Sequence, residues 1–254
     1  MNDVNIGGGR FMLGDCLERM REIPDGSVDM ILCDLPYGTT QNKWDQVIPF
    51  EPLWREYWRV AKPGAAVVLT ASQPFTSALV MSQAERFKHE WIWDKVLPTG
   101  FAIAKYSPLK QHESVLVFAR KSTKYNPQMV KKDKARTYNR THSEYKGSQN
   151  LKSHDGISRT LTHSYPRSIL KESNADQKSK IHPTQKPVAL FEYLIQTYTD
   201  AGITVLDNCA GSGTTAIAAE RTGRKWICIE RDPEYYAAAC NRIRTEIESR
   251  GLFA

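Results

Sequence analysis

No apolar run in this 254-residue chain approaches the 18 or so residues that cross a bilayer, so a membrane span is not expected. Residues 1–10 lack a signal-peptide core, which points to the cytoplasm. Cysteine is sparse and unpaired in pattern. The five, at positions 16, 33, 209, 228 and 240, are odd in number and form no CxxC pair. Most sit inside apolar runs and read as small buried hydrophobes of a reducing compartment. No zinc-type ligand spacing occurs, so no metal is expected. Internal repeats and long low-complexity tracts are also missing. What remains is ordinary globular material, 41% hydrophobic and 25% charged, enough for one large α/β domain or a domain with an insertion.

Acidic residues are scarce in one stretch. From Arg120 to Lys186 there are 16 Lys/Arg against 5 Asp/Glu, a local charge of +11. The rest holds 35 − 16 = 19 basic and 28 − 5 = 23 acidic residues, or −4, within an overall +7. Concentration of one sign in one segment favours a polyanion partner, most simply nucleic acid. Tyr125, Tyr138, Tyr145 and Tyr165 lie among these cations, and few aliphatics accompany them. With so little apolar surface to bury, residues 121–181 are expected to be poorly ordered in isolation.

On both sides of this segment, short β-type runs alternate with helical patterns, which points to a parallel sheet with covering helices. Strands are expected at 10–13, 28–33, 65–70, 90–96, 114–119, 203–206 and 225–229. Helices are expected at about 16–23, 51–61 and 233–249, along the face Val188, Phe191, Leu194, Ile195 and Tyr198, and after the turn at Gly213.

Two strand ends carry chemistry. Asp34-Leu35-Pro36-Tyr37-Gly38 leaves the apolar run 28–33. A carboxylate, a carbonyl and an aromatic ring so placed suit a flat, amino-bearing base, and Pro36 stiffens the turn. The same residues are turn formers, and both readings stand at this point. The second end is a strand–glycine turn–helix–strand–acid unit from Ile203 to Glu230. Gly211-Ser212-Gly213-Thr214-Thr215-Ala216 fits a loose GxGxxA pattern, in which glycines let a ligand approach a helix N-terminus. Glu230 is placed to take two ribose hydroxyls. Asp15 could accept an adenine amine or cap the helix that follows it.

Asp34-Leu35-Pro36-Tyr37 resembles the D-P-P-Y signature of S-adenosylmethionine-dependent DNA amino-methyltransferases. Ala210-Gly211-Ser212-Gly213 resembles their cofactor loop, and His182-Pro183-Thr184-Gln185-Lys186-Pro187 is similar to the segment that precedes it. Gly14-Asp15-Cys16-Leu17 and Lys62-Pro63-Gly64 match as well. The order, catalytic motif before cofactor motif with a basic segment between, is that of the family's beta group. Two departures are Leu35 for the first proline, and Asn208-Cys209 where Pro-Phe is frequent; Trp226 is a candidate to replace the missing packing contact.

The resemblance implies a Rossmann-like methyltransferase fold: a mostly parallel twisted sheet with helices on both faces, and the catalytic half first. It implies a catalytic half at 1–120, a basic target-recognition insertion at 121–181 and a cofactor-binding half at 182–254. Asp34 and the Leu35 carbonyl would accept the amino hydrogens of a flipped-out adenine, Pro36 would shape the turn and Tyr37 would stack on the base. Methyl transfer to N6 would be a direct in-line displacement. Asp15, Thr184, Lys186, Asp207, Ala210, Gly211, Gly213, Thr214 and Glu230 would hold S-adenosylmethionine. Lys186 would pair with the cofactor carboxylate or with a phosphate. Lys43, Trp44, Lys131, Lys132, Arg136, Arg140, Arg159 and Arg167 would contact double-stranded DNA, although Trp44 is equally suited to packing on its own domain. Dimers are common in the group, and restriction-modification is the usual setting. Asp34 favours adenine, since N4-cytosine enzymes of this superfamily usually carry Ser there. The alternatives are N4-cytosine transfer on the same fold and an NAD-binding oxidoreductase using the GxGxxA turn.

Overall fold

A computed structural model describes residues 3–39, 45–139, 158–174, 181 and 185–251. It divides into two compact units, Met1–Asn126 with Ser168–Ala254, and Pro127–Arg167.

The larger unit is built on one mixed sheet. Its strands are β1 (Val4–Ile6), β2 (Gly9–Leu13), β3 (Val28–Asp34), β4 (Ala61–Ala71), β5 (Phe87–Thr99), β6 (Lys110–Phe118), β9 (Ile169–Lys171), β10 (Thr204–Asp207) and β11 (Lys225–Glu230). Among the described residues the order is β1-β2-β11-β10-β3-β4-β6-β5-β9. The five central strands, β2 to β4, run parallel. The β5–β6 hairpin joins β4 antiparallel.

Alternation along the strands divides the core. Met30 and Leu32 face one side, with Val68, Val205 and Cys228. There they meet α4 (Val188–Tyr198), α5 (Thr214–Arg221) and α6 (Pro233–Gly251). Ile31 and Cys33 face the other side, with Leu69, Leu206 and Ile229. They meet α1 (Cys16–Met20), α2 (Phe50–Val60) and α3 (Phe75–Ser82). Both faces of the parallel strands are therefore covered, which is why these strands read as continuous apolar runs.

The expected fold class is present, and the boundaries shift by physical causes. The helix expected to reach residue 23 stops at Met20 and continues only as turns, with Ile23 N bonding Met20 O at 2.9 Å. Strand β4 begins at Ala61, four residues before the expected run, because Lys62-Pro63-Gly64 is extended rather than a break. α3 carried no start signal: Pro74 precedes it and supplies no side-chain cap. Within the described residues of the basic stretch two features were not expected. The stretch contributes β9 to the large sheet, and the second unit contains an antiparallel hairpin, β7 (Val130–Asn139) and β8 (Ser158–Ser164).

Gly9 marks a close approach at the β2–β11 pairing. A Cβ there would run into the buried indole of Trp226, which packs edge-on to Phe11 and donates to Glu220 Oε1 at 2.7 Å. Gly9→Ala should therefore lower unfolding free energy by about 1–3 kcal/mol in urea titration.

Candidate active site

The C-terminal ends of the parallel strands open into one cavity of about 380 Å³, lined entirely by the larger unit. Gly14, Asp15, Gly211 and Glu230 border one end, and Asp34, Glu113, Lys110 and Lys186 the other. This is where open α/β sheets place their ligands.

At the second end, Asp34 terminates β3 directly opposite Thr70 of β4. Its Oδ1 accepts the Thr70 hydroxyl and the Tyr37 hydroxyl, the latter at 2.8 Å. Its Oδ2 lies 2.8 Å from Lys186 Nζ. Lys186 is also 3.3 Å from Glu113 Oε2, and Glu113 Oε1 is 3.2 Å from Lys95 Nζ. Four charges thus alternate: Lys95, Glu113, Lys186, Asp34. The Lys95 and Lys186 side chains are only 5% and 7% exposed, so each depends on its neighbours in place of water. Burial alone would depress the Lys186 pKa, but the Asp34 and Glu113 carboxylates outweigh it and the net shift is upward. Burial alone would raise Glu113, yet Lys186 and Lys95 bring it below the usual range. Lys186 and Glu113 are thereby both held in their charged forms.

Tyr37 stacks on Phe75, with centroids 5.3 Å apart and planes at 25°. Burial, then the charges of Asp34 and Glu113, push its phenol well above the ordinary value, so it stays a proton donor. The Leu35 side chain packs in the core with α1 and α2, leaving its backbone to serve the turn. Asp45 accepts from Gly38 N at 2.8 Å and Thr39 N at 2.9 Å, which closes the loop behind the motif.

At the first end, Gly211 (φ +50°) and Gly213 (φ +75°) adopt left-handed backbone conformations that other residues rarely take. Glu230 Oε2 accepts Gly211 N at 2.7 Å, and Oε1 accepts Asp232 N at 2.8 Å. The remaining lone pairs of this carboxylate border the cavity and suit a vicinal diol. A nucleoside-bearing cofactor fits this donor set. Thr214 Oγ1 donates to Lys186 O at 3.3 Å, linking the glycine turn to the charged end. Arg242 of α6 steadies the turn, donating to Ser212 O at 2.9 Å and to Thr214 Oγ1 at 3.2 Å. Burial lowers the Arg242 guanidinium to about 10.

Asp15 caps α1 through Oδ1, accepting Leu17 N at 2.9 Å, and also borders the cavity. Asp207 lines it too, but its oxygens are engaged: Oδ1 accepts Cys209 N at 3.0 Å and Oδ2 accepts the Thr215 hydroxyl. Trp226 is not a cavity residue; it is buried against Phe11 on β11, so the contact expected of it is absent. In the smaller unit, Lys131, Lys132 and Arg136 lie on β7 and Arg159 on β8; Lys131, Arg136 and Arg167 are exposed. Lys43, Trp44, Arg140 and Thr184 fall outside the described residues. Among the described residues no group of His, Cys, Asp and Glu is placed to hold a metal, and no helix is long and apolar enough to cross a membrane. No local pattern in the chain marks Thr70, Lys95, Glu113 or Arg242 as site residues.

The fold is that of Rossmann-like methyltransferases. It superposes on PvuII DNA methyltransferase (cytosine-N4-specific) with a TM-score of 0.69 at 17% identity, covering 96% of this chain and 93% of that one. It superposes on M1.HpyAVI, solved as a complex with SAM, with a TM-score of 0.61 at 23% identity, covering 92% and 99%. In sequence, the type II methyltransferase M.HpaI of Haemophilus parainfluenzae is 24% identical over 253 residues, covering 93% of this chain and 74% of that protein. The DNA methylase family model, that of the N6/N4 methyltransferases, matches residues 28–241, and the chain belongs to that family. It is a DNA methyltransferase of the N6/N4 class, which removes the oxidoreductase alternative.

Lys186→Met leaves the Asp34 and Glu113 carboxylates facing one another, and should cost about 3–5 kcal/mol in urea unfolding. The Lys186→Met/Glu113→Gln double variant should recover much of that loss; equal losses in both would disprove the coupling. Burial raises Asp207 to about 6, although the Thr215 and Cys209 hydrogen bonds oppose it. A carboxyl raised on folding stabilises the native state fully below its unfolded value, and that increment is lost as pH rises through about 6. The stability of wild type relative to Asp207→Asn should therefore fall between about pH 4 and pH 7.

Proposed function

We propose that this enzyme transfers a methyl group from S-adenosylmethionine to the exocyclic N6 of an adenine turned out of double-stranded DNA. The observation that carries this reading is the single cavity with a glycine turn and acid at one end and the Asp34 carboxylate at the other. The bound cofactor supplies an electrophilic methyl group on a sulfonium centre. Glu230 would hold its ribose and Asp15 its adenine amine, and Gly211, Gly213 and Ala210 would let it approach the backbone. Asp207 and Thr214 shape the turn from behind.

Asp34 and the Leu35 carbonyl accept the two amino hydrogens of the base. This localises the nitrogen lone pair, which is otherwise delocalised into the ring, and aims it along the cavity. Lys186 holds the Asp34 carboxylate in place through Oδ2, while Glu113 and Lys95 hold Lys186 in turn. Tyr37 already donates to Asp34 Oδ1. Entry of the base replaces that hydroxyl by an amino hydrogen and frees the ring to cover the base. The unit at 127–167, with nine Lys/Arg against three Asp/Glu, holds phosphates through Lys131, Lys132, Arg136, Arg159 and Arg167.

The choice of adenine rests on Asp34, since a serine is usual there in N4-cytosine enzymes. A second reading, transfer to cytosine N4, draws support from the likeness to the cytosine-N4-specific PvuII enzyme, although 17% identity is a likeness of fold. Sequencing DNA from cells that make this chain should reveal N6-methyladenine at one short recurring sequence. N4-methylcytosine would establish the second reading, and unmodified DNA would overturn both. Asp34→Ala should lower methyl transfer at least about 100-fold while calorimetric binding of S-adenosylhomocysteine persists.

A further inference from the structure

Extracting a base breaks its stacking and leaves a gap in the duplex, at a cost of a few kcal/mol. The cavity end at Asp34 adjoins a feature that the proposed mechanism does not use, the tip of the β5–β6 hairpin. Thr99 and Lys110 close the base of this tip, with Thr99 Oγ1 donating to Lys110 O at 3.1 Å, and both line the cavity. Beyond them the chain projects large apolar side chains into solvent, Phe101 at 68% exposed, Ile103 at 56% and Tyr106 at 89%, and Leu97, just before Thr99, is 54% exposed. From Lys95 to His112 there is no acidic residue, while Lys105 and Lys110 are basic and exposed. A patch of this size and sign on a soluble surface marks a binding face.

The tip has a defined shape. Val96, a β-branched residue, is held at φ +67°, where such residues are rare, and Asp94 Oδ1 secures it by accepting Val96 N at 2.9 Å. Asp94 Oδ1 also accepts Gln111 Nε2 at 2.9 Å across the hairpin. Gly100 (φ +92°) then opens a 3₁₀ turn over Phe101–Ile103, and Tyr106 N bonds Ile103 O at 2.9 Å.

We propose that this tip is a wedge that enters duplex DNA beside the target base, with Phe101 or Tyr106 filling the gap while the base occupies the cavity. The assignment rests on the reading of that cavity as a target-base site. Apolar side chains at the end of a fixed loop stack between base steps, and the flanking cations meet phosphates. An acid-free surface suits a polyanion better than a second copy carrying the same cations. Continuity with the cavity through Thr99 and Lys110 places the wedge at the step from which the base leaves.

The test uses the full chain and the site located by sequencing, presented as a duplex, as a duplex with a mispaired target base, and as a single strand. kcat/KM is read for transfer of a labelled methyl group. In the Phe101→Ala/Tyr106→Ala variant the duplex-to-single-strand ratio should fall at least about tenfold, and the mispaired duplex should recover part of the loss because its base is already loosened. An unchanged ratio overturns the wedge and leaves the methyltransferase reading standing. An unchanged ratio with a halved mass in light scattering assigns the face to a second copy instead. If wild type transfers no methyl to any of the three, the target-base reading falls, and the wedge with it.

Discussion

The buried alternation Lys95–Glu113–Lys186–Asp34 is the constraint on which this site depends. It joins β5, β6, Lys186 two residues before α4 and the end of β3 through largely buried side chains. No member can be placed without the others. A buried ammonium with one carboxylate would leave an excess charge on one side; with two it is flanked, and the second carboxylate needs Lys95. The network also fixes the Tyr37 ring, since its hydroxyl shares Asp34 Oδ1 with Thr70.

This constraint explains how two halves far apart in sequence become one site. Asp34 and Lys186 are separated by 152 residues, yet β3 and β10 are neighbours in the parallel sheet. The Lys186 carbonyl receives Thr214 of the glycine turn, so the same residue that pairs with the Asp34 carboxylate also ties down the other end of the cavity. The two ends of the cavity are coupled by packing that follows from the parallel strand order. The β5–β6 hairpin contributes Lys95 and Glu113 from below and the exposed tip from above, so one hairpin serves both the floor of the cavity and its rim.

Much of this was legible in the chain because its signals are local. Apolar runs ended by an acid, as at Asp34 and Glu230, mark strand termini whatever surrounds them. Glycines 211 and 213 mark a turn that no other residue adopts easily. Asp15 had two compatible readings, a cap and a ligand group, and it both caps α1 and borders the cavity. Other features were hidden for stated reasons. α3 lacks a capping side chain and the basic stretch lacks an apolar face, so neither the helix nor the β7–β8 hairpin announced itself. Lys186 pointed to an anion, but which anion depended on Glu113 and Asp34 arriving from strands β6 and β3.

By itself, then, the sequence determined the parallel α/β architecture, the motif at 34–38, the glycine turn with its acid, and the concentration of positive charge in one segment. Each of these follows from residue types a few positions apart, whose conformational preferences act without help. Tertiary structure alone decided the partners of Asp34, the assignment of Lys186 to that carboxylate, the recruitment of Thr70, Glu113 and Arg242, and the place of the apolar tip beside the cavity. Those depend on strand order and register, and a buried charge selects its neighbours only once the fold has removed the water that would otherwise satisfy it.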